Sequence, residues 1–158
     1  MKTIAELIEY LNDNSDDEVF WLGEASDGQI EILELELGAI LPESLKNFFR
    51  LVGGGGTVEE EISGIIADNA LVESHGSILF DTFYCRREFG LPDYLIVIYL
   101  REDEVCWCLN LLPDGFGKIV SYDLFKQKVD RVMYDSFEKF LEEYVELRGV
   151  ENECNQQI

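Results

Sequence analysis

Four consecutive glycines, Gly53 to Gly56, follow directly on a segment in which Leu45, Phe48, Phe49 and Val52 form one apolar stripe at helical spacing. A helix carrying that stripe ends at Gly53, because glycine most readily takes the left-handed conformation that closes a helix. A phosphate-cradling loop is one reading of such a run. It needs a Lys and a Ser or Thr directly after its last glycine. Thr57 is present without a Lys, and Glu59, Glu60 and Glu61 follow, which repel phosphate. The run therefore reads as a flexible connection between a helix and a strand.

The remaining elements are predicted around this break. Thr3 with Glu6 forms a capping box, and Ile4, Leu7, Ile8 and Leu11 repeat as one helical face. Val19 to Leu22 reads as a short extended run. Ser26 with Gln29 opens a second helix through Ile30, Leu33 and Leu37, stopped by Gly38, and Pro42 suits the first turn of a third. Thr57 to Ile66 reads as a strand, and residues 68–77 as a loop or short helical piece. A helix is predicted over Ile78 to Phe89. Strands follow over Tyr94 to Arg101, Val105 to Leu111 and Gly117 to Tyr122, joined by turns short enough for antiparallel neighbours. The first of these is apolar on both faces, so it is central or covered on both sides. Leu124 to Val132 is compatible with loop or helix. Asp135 with Glu138 resembles a capping box for a last helix through Phe137, Phe140, Leu141, Tyr144 and Val145, ended by Gly149. One domain over residues 1–149 is expected, with 150–158 as a frayed tail.

The chain has 158 residues, 47% of them apolar, enough for one core. Its 33 acids against 12 bases leave a net charge of −21. That balance disfavours direct DNA or RNA binding, which relies on neutralising phosphates with Lys and Arg. The same field attracts a basic protein and speeds its docking, and it also serves simply to keep a protein soluble. Residues 1–40 are the most acidic stretch, with 11 acids and one Lys. Met1 and Lys2 lead straight into the first amphipathic segment, and the longest apolar run, Tyr94 to Leu100, is far short of the ~20 residues a membrane span needs. No membrane association and a cytoplasmic location are expected.

No constellation of catalytic groups is apparent. Of the four cysteines, Cys85, Cys106, Cys108 and Cys154, the middle two straddle Trp107 in a predicted strand and share one face. With no Cys-x-x-Cys and one histidine, a zinc site lacks ligands at suitable spacing, and buried reduced thiols are expected. No metal or cofactor is expected. His75 lies in a polar stretch and reads as an exposed loop histidine rather than the partner of a nucleophile. Carboxylate pairs arise by chance among so many acids, so they carry no glycosidase signal.

The order of segments resembles the SUKH superfamily, the Smi/Knr-type domain. The likeness is carried by Trp21, Gly23, Ile30, Leu33, Glu34 and Leu37, then by LPESLKNFFRLVGGGG from Leu41 to Gly56 and ISGI from Ile62 to Ile65. Arg87, Leu91-Pro92, YLIVIY, WCLN from Trp107 to Asn110, KIVSYD from Lys118 to Asp123 and SFEKFLEEY from Ser136 to Tyr144 continue it. Asn110 stands where an Asp is common in that family, and the tail with Cys154 has no counterpart. The resemblance implies an α+β fold: a central, strongly bent antiparallel β-sheet flanked by helices. It also implies a role without catalysis. Bacterial members resemble immunity proteins that bind and block a toxin domain, often a nuclease, whose basic cleft an acidic protein can plug. Fungal relatives imply a regulatory or scaffold interaction module instead.

The partner-binding candidates are three acidic clusters at predicted turns and strand ends: Asp16, Asp17 and Glu18; Glu59, Glu60 and Glu61; and Glu102, Asp103 and Glu104. Each also reads as an ordinary solvated loop. Trp21 is a candidate aromatic anchor, with a half-buried core tryptophan as the plainer reading. The expected partner is a protein, a basic toxin domain.

Overall fold

The structure is a computed structural model that describes residues 2–156, the side chains from 150 onward excepted. Five helices and six strands run in the order α1 (Ile4–Asn14), β1 (Val19–Trp21), α2 (Asp27–Leu37), α3 (Glu43–Val52), β2 (Gly55–Thr57), α4 (Ile78–Phe89), β3 (Leu95–Arg101), β4 (Val105–Asn110), β5 (Ile119–Asp123), β6 (Lys128–Tyr134) and α5 (Phe137–Gln156). The fold is α+β, with every strand pairing antiparallel. The strands form two sheets: β1 with β2, and a four-stranded meander β3-β4-β5-β6.

Local chemistry sets the helix ends. The Thr3 side chain accepts from the Glu6 N–H while the Glu6 carboxylate accepts from the Thr3 N–H, closing the capping box. Ser26 caps α2 in the same way by accepting from the Gln29 N–H. Its own N–H goes to Asp68 Oδ1 at 2.8 Å, so a residue 42 positions away completes the cap. Gly38, Gly53 and Gly90 close α2, α3 and α4 in left-handed conformations.

Several expectations are corrected. The predicted strand over 57–66 is displaced: β2 begins inside the glycine run, and residues beyond Thr57 form a turn and isolated bridges. Gly55 and Gly56 are therefore part of a buried strand, which Gly53 and Gly54 join to the end of α3, rather than a flexible connection. Phe20 and Trp21 pair with Gly56 and Gly55. A Cβ at Gly64 would collide with the Gly53 carbonyl, and one at Gly53 with the Gly23 carbonyl, so three stretches of backbone meet where no side chain fits. The ambiguous run near residue 130 is neither loop nor helix over most of its length but strand β6. The last helix is capped by Ser136, which accepts from the Lys139 N–H, not by Asp135, and it passes Gly149 to reach Gln156.

The core lies on both sides of the four-stranded sheet. Ile96, Ile98, Leu109 and Ile119 face α1, α2, α3 and α5 in the larger cluster, around Leu45, Phe48, Phe49, Phe137 and Phe140. Leu95, Val97, Cys106, Cys108, Val120 and Tyr122 face the other way, beside Cys85 of α4. Strand β3 is thus covered on both faces, as its apolar run predicts, although it stands at the sheet's edge. That edge is closed: the Val97 N–H donates to Thr82 Oγ1 and the Ser63 N–H to the Ile98 carbonyl.

Cys85, Cys106 and Cys108 are free and buried, with the Cys106 and Cys108 sulfurs 3.6 Å apart. Hydrogen bonding to Cys106 and then burial push the Cys85 thiol far up; bonding to Cys108 and then burial do the same for Cys106. Raised folded-state values mean that the protons are held more tightly in the native chain than in the unfolded one. Their stabilising effect is complete below the ordinary thiol value near 9.0 and is lost progressively as pH rises above it.

Two predictions follow from this packing. Gly64→Ala, which drives a methyl group into backbone, destabilises by about 3 kcal/mol or more, whereas Gly28→Ala in open space within α2 stabilises by about 0.5 kcal/mol. Denaturant titration of both variants reads the difference in sign. In a Cys154→Ser background, native protein does not react promptly with a thiol reagent and loses stability above pH ~9. Replacing Cys85 and Cys106 with alanine flattens that alkaline slope.

Candidate functional site

The four-stranded sheet and the β1–β2 pair are separate, and the chain between β2 and α4 bridges them. A cleft of about 540 Å³ opens along this bridge. One wall carries Phe20 and Leu22 with the turn Glu59–Glu61. The other carries Tyr99 and Leu100 of β3 with Glu102 and Asp103 of the β3–β4 turn, and His75 and Asp81 lie between them.

Each acidic group is held differently. Tyr144 of α5 donates to the Glu60 carbonyl at 2.7 Å and accepts from the Thr57 N–H at 3.1 Å, pinning the Glu59–Glu61 turn to β2. This approach requires Gly56, because a Cβ there would overlap the phenol oxygen. The Arg148 guanidinium stacks over the Tyr144 ring at 3.7 Å and, with Arg101, pairs with the Glu60 carboxylate at 3.3 and 3.7 Å. Glu60 is therefore committed inside the protein. Glu59 and Glu61 make no ion pair among the described residues. Across the cleft, Glu102 and Asp103 both sit at positive φ, 51° and 53°, in a turn closed by the Glu104 N–H donating to the Arg101 carbonyl. Hairpins favour Asn, Asp or Gly at such positions, so Glu102 is kept there at a local cost. Tyr84 donates to Asp103 Oδ2 at 2.9 Å, and that bond followed by burial raises the phenol above its ordinary value.

Asp81 is a buried carboxylate at 1% exposure. It accepts from Ser63 Oγ at 2.7 Å and from the Gly76 N–H at 3.1 Å, while His75 Nδ1 lies 2.7 Å from its other oxygen. The His75 ring is exposed, with Phe80 and Tyr84 edge-on to it. Serine, histidine and aspartate thus meet, but Ser63 donates to the carboxylate rather than to the imidazole. A nucleophilic hydroxyl needs the imidazole as its base, and this order leaves Ser63 without one. The arrangement fastens the bridging segment to α4.

Of the sequence candidates, Glu59, Glu60, Glu61, Glu102 and Asp103 line one cleft, although more than 40 residues separate the two clusters. Glu104 is exposed on the same hairpin but does not line it. Asp16, Asp17 and Glu18 lie outside, with Glu18 brought beside the Glu59 turn by the Val58 N–H donating to its carbonyl at 2.9 Å. Trp21 also lies outside. Its ring meets Phe48 edge-on at 6.3 Å, and its Nε1 donates to Asn12 Oδ1 at 2.8 Å. An exposed aromatic residue that lines the cleft is Phe20, 59% exposed, which sequence reasoning missed. The period of two in a strand was the available signal, since neighbours in VFW face opposite sides. His75, Asp81 and Tyr99 had no such signal, because tertiary packing alone brings them there.

Fold and cleft together define an acidic α+β domain with a carboxylate-rimmed groove. The family described as SMI1-KNR4 cell-wall, of the SUKH group, matches residues 4–146. The chain belongs to that family. No curated protein matches it. Among the described residues, no helix is long and apolar enough to cross a membrane, and no group of three or more His, Cys, Asp or Glu side chains is placed to hold a metal ion.

The pinned turn yields a prediction. Tyr144→Phe leaves the buried Thr57 N–H without its partner and destabilises by about 1–3 kcal/mol. Hydrogen exchange then speeds at Thr57 more than at amides of β4.

Proposed function

We propose that this chain is an immunity-type protein of the cytoplasm that neutralises a toxin domain by binding it, without catalysis. The observation that carries this reading is the cleft. Glu59 and Glu61, which make no ion pair among the described residues, line the same groove as Glu102 and Asp103, and an exposed phenylalanine lines it beside them. Carboxylates on two sides of an apolar slot suit a Lys or Arg side chain, whose stem packs on the apolar wall while its head pairs with the rim. Phe20 adds a ring face for such a cation. A nuclease-type toxin domain carries basic residues where it holds phosphate, and an acidic protein competes for that surface. The net charge of −21 speeds the encounter. Family membership supports the reading, since SUKH domains often serve as immunity proteins.

The family's description, which names the cell wall, favours a second reading: a regulatory or scaffold interaction module of the fungal type. The same cleft would serve there, with a basic segment of a regulatory partner in place of a toxin.

The test is protection of a cell expressing the toxin domain encoded beside this gene. Wild-type protein is expected to protect and to bind the purified toxin more weakly as salt rises. Glu59→Lys, Glu61→Lys and Glu102→Lys combined are expected to weaken binding about 100-fold or more, and Phe20→Ala to weaken it about 10-fold. Full protection and unchanged affinity in the combined variant would remove the cleft from the contact. Failure of the wild type to bind or protect would end the immunity reading.

A further inference from the structure

The two edges of the four-stranded sheet are treated in opposite ways. Thr82 and Ser63 close the β3 edge, whereas among the described residues no backbone hydrogen bond reaches the outer side of β6. Strand β6 is seven residues long, and its first five, Lys128 to Val132, are all exposed. An open edge of this length is a template for another strand. It also carries apolar surface: Val132 is 54% exposed and Val129 37%, with Phe125 nearby in the chain at 81%.

Charge narrows what can occupy this edge. Residues 118–139 hold five of the chain's 12 Lys and Arg against four acids, a balance of +1, so the rest of the chain carries −22. A second copy is repelled by most of the surface and least by this stretch.

Geometry narrows it further. Val132 opposes Val120 and Arg131 opposes Ser121, but Val129 opposes Tyr122, so Asp130 is an extra residue in a bulge. The bulge brings Val129 and Val132 onto one face, the face of Val120 and Tyr122. A regular partner strand fits such an edge poorly. One with the same bulge fits it, and a copy of this chain has it. Antiparallel pairing about a two-fold axis can place Val129 opposite Val132 of the second copy. In that register Asp130 of each copy falls opposite Arg131 of the other, giving two apolar and two opposite-charge cross-strand pairs.

We propose that two copies of this chain associate edge to edge through β6, joining their four-stranded sheets into one of eight. The interface is a strand pair with little else, so it belongs with small interfaces below roughly 1,200 Å² and forms a dimer in reversible exchange with monomer.

Sedimentation equilibrium of the full chain at about 0.15 M salt, over concentrations up to about 1 mM, tests this. Wild type is expected to show a monomer–dimer equilibrium. Asp130→Arg and Arg131→Asp each place like charges opposite one another and are expected to weaken association about 10-fold or more. The double variant restores opposite charges in the same register and is expected to recover most of the loss. Val132→Lys, on an exposed residue, is expected to abolish the dimer while leaving the thermal transition of the monomer within a few degrees. A wild type that stays monomeric across the range overturns the proposal. So does a dimer indifferent to these substitutions, or one that the double variant fails to rescue.

Discussion

The structure depends on a place where three stretches of backbone touch without side chains between them. Gly53, Gly64 and the Gly23 carbonyl meet at distances no Cβ tolerates. The Ile65 N–H donates to the Gly53 carbonyl, and the Gly23 N–H donates to Val52. Helix α3 ends at this crossing, β2 starts from it, and the segment leading to α4 leaves through it. Close-packed interiors usually derive their shape from interlocking side chains. Here the shape comes from leaving them out.

The glycine run also builds the cleft. Because Gly56 has no side chain, Tyr144 can lay its hydroxyl on β2 and hold the turn that presents Glu59 and Glu61. The guanidinium of Arg148 covers the phenol and takes up the Glu60 carboxylate. One of three adjacent acids is spent on structure, and its neighbours are left facing outward. Identical residue types in one cluster therefore differ in role because of partners almost 90 residues away.

That division explains what could be read from the chain. Thr3 with Glu6, Gly38, Gly53 and the stripe of α3 were legible because caps and amphipathic faces act within a few residues. The two faces of Tyr94–Leu100 were legible because burial on both sides leaves no polar position. Strand β6 was not legible: its residues are exposed on both faces, and its bulges break the alternation that marks a strand. The glycine run was misread because glycine supplies freedom in one setting and close approach in another, and only the tertiary neighbours decide between them. The acidic clusters could be placed at turns, but which of them face each other depends on how the two sheets are set.

The Ile62–Ile66 strip has a mechanical consequence. It is hydrogen-bonded to the glycine strand through Gly55 and Gly53, to β3 through Ser63, and to α4 through the Ser63 hydroxyl on Asp81. The groove's two walls belong to different sheets, so its width is governed by this narrow ribbon rather than by the stiffness of either sheet. Prying the walls apart or drawing them together loads Ser63, tied to β3 by its N–H and to α4 by its hydroxyl, along with the Arg101–Glu60 ion pair that also joins the walls.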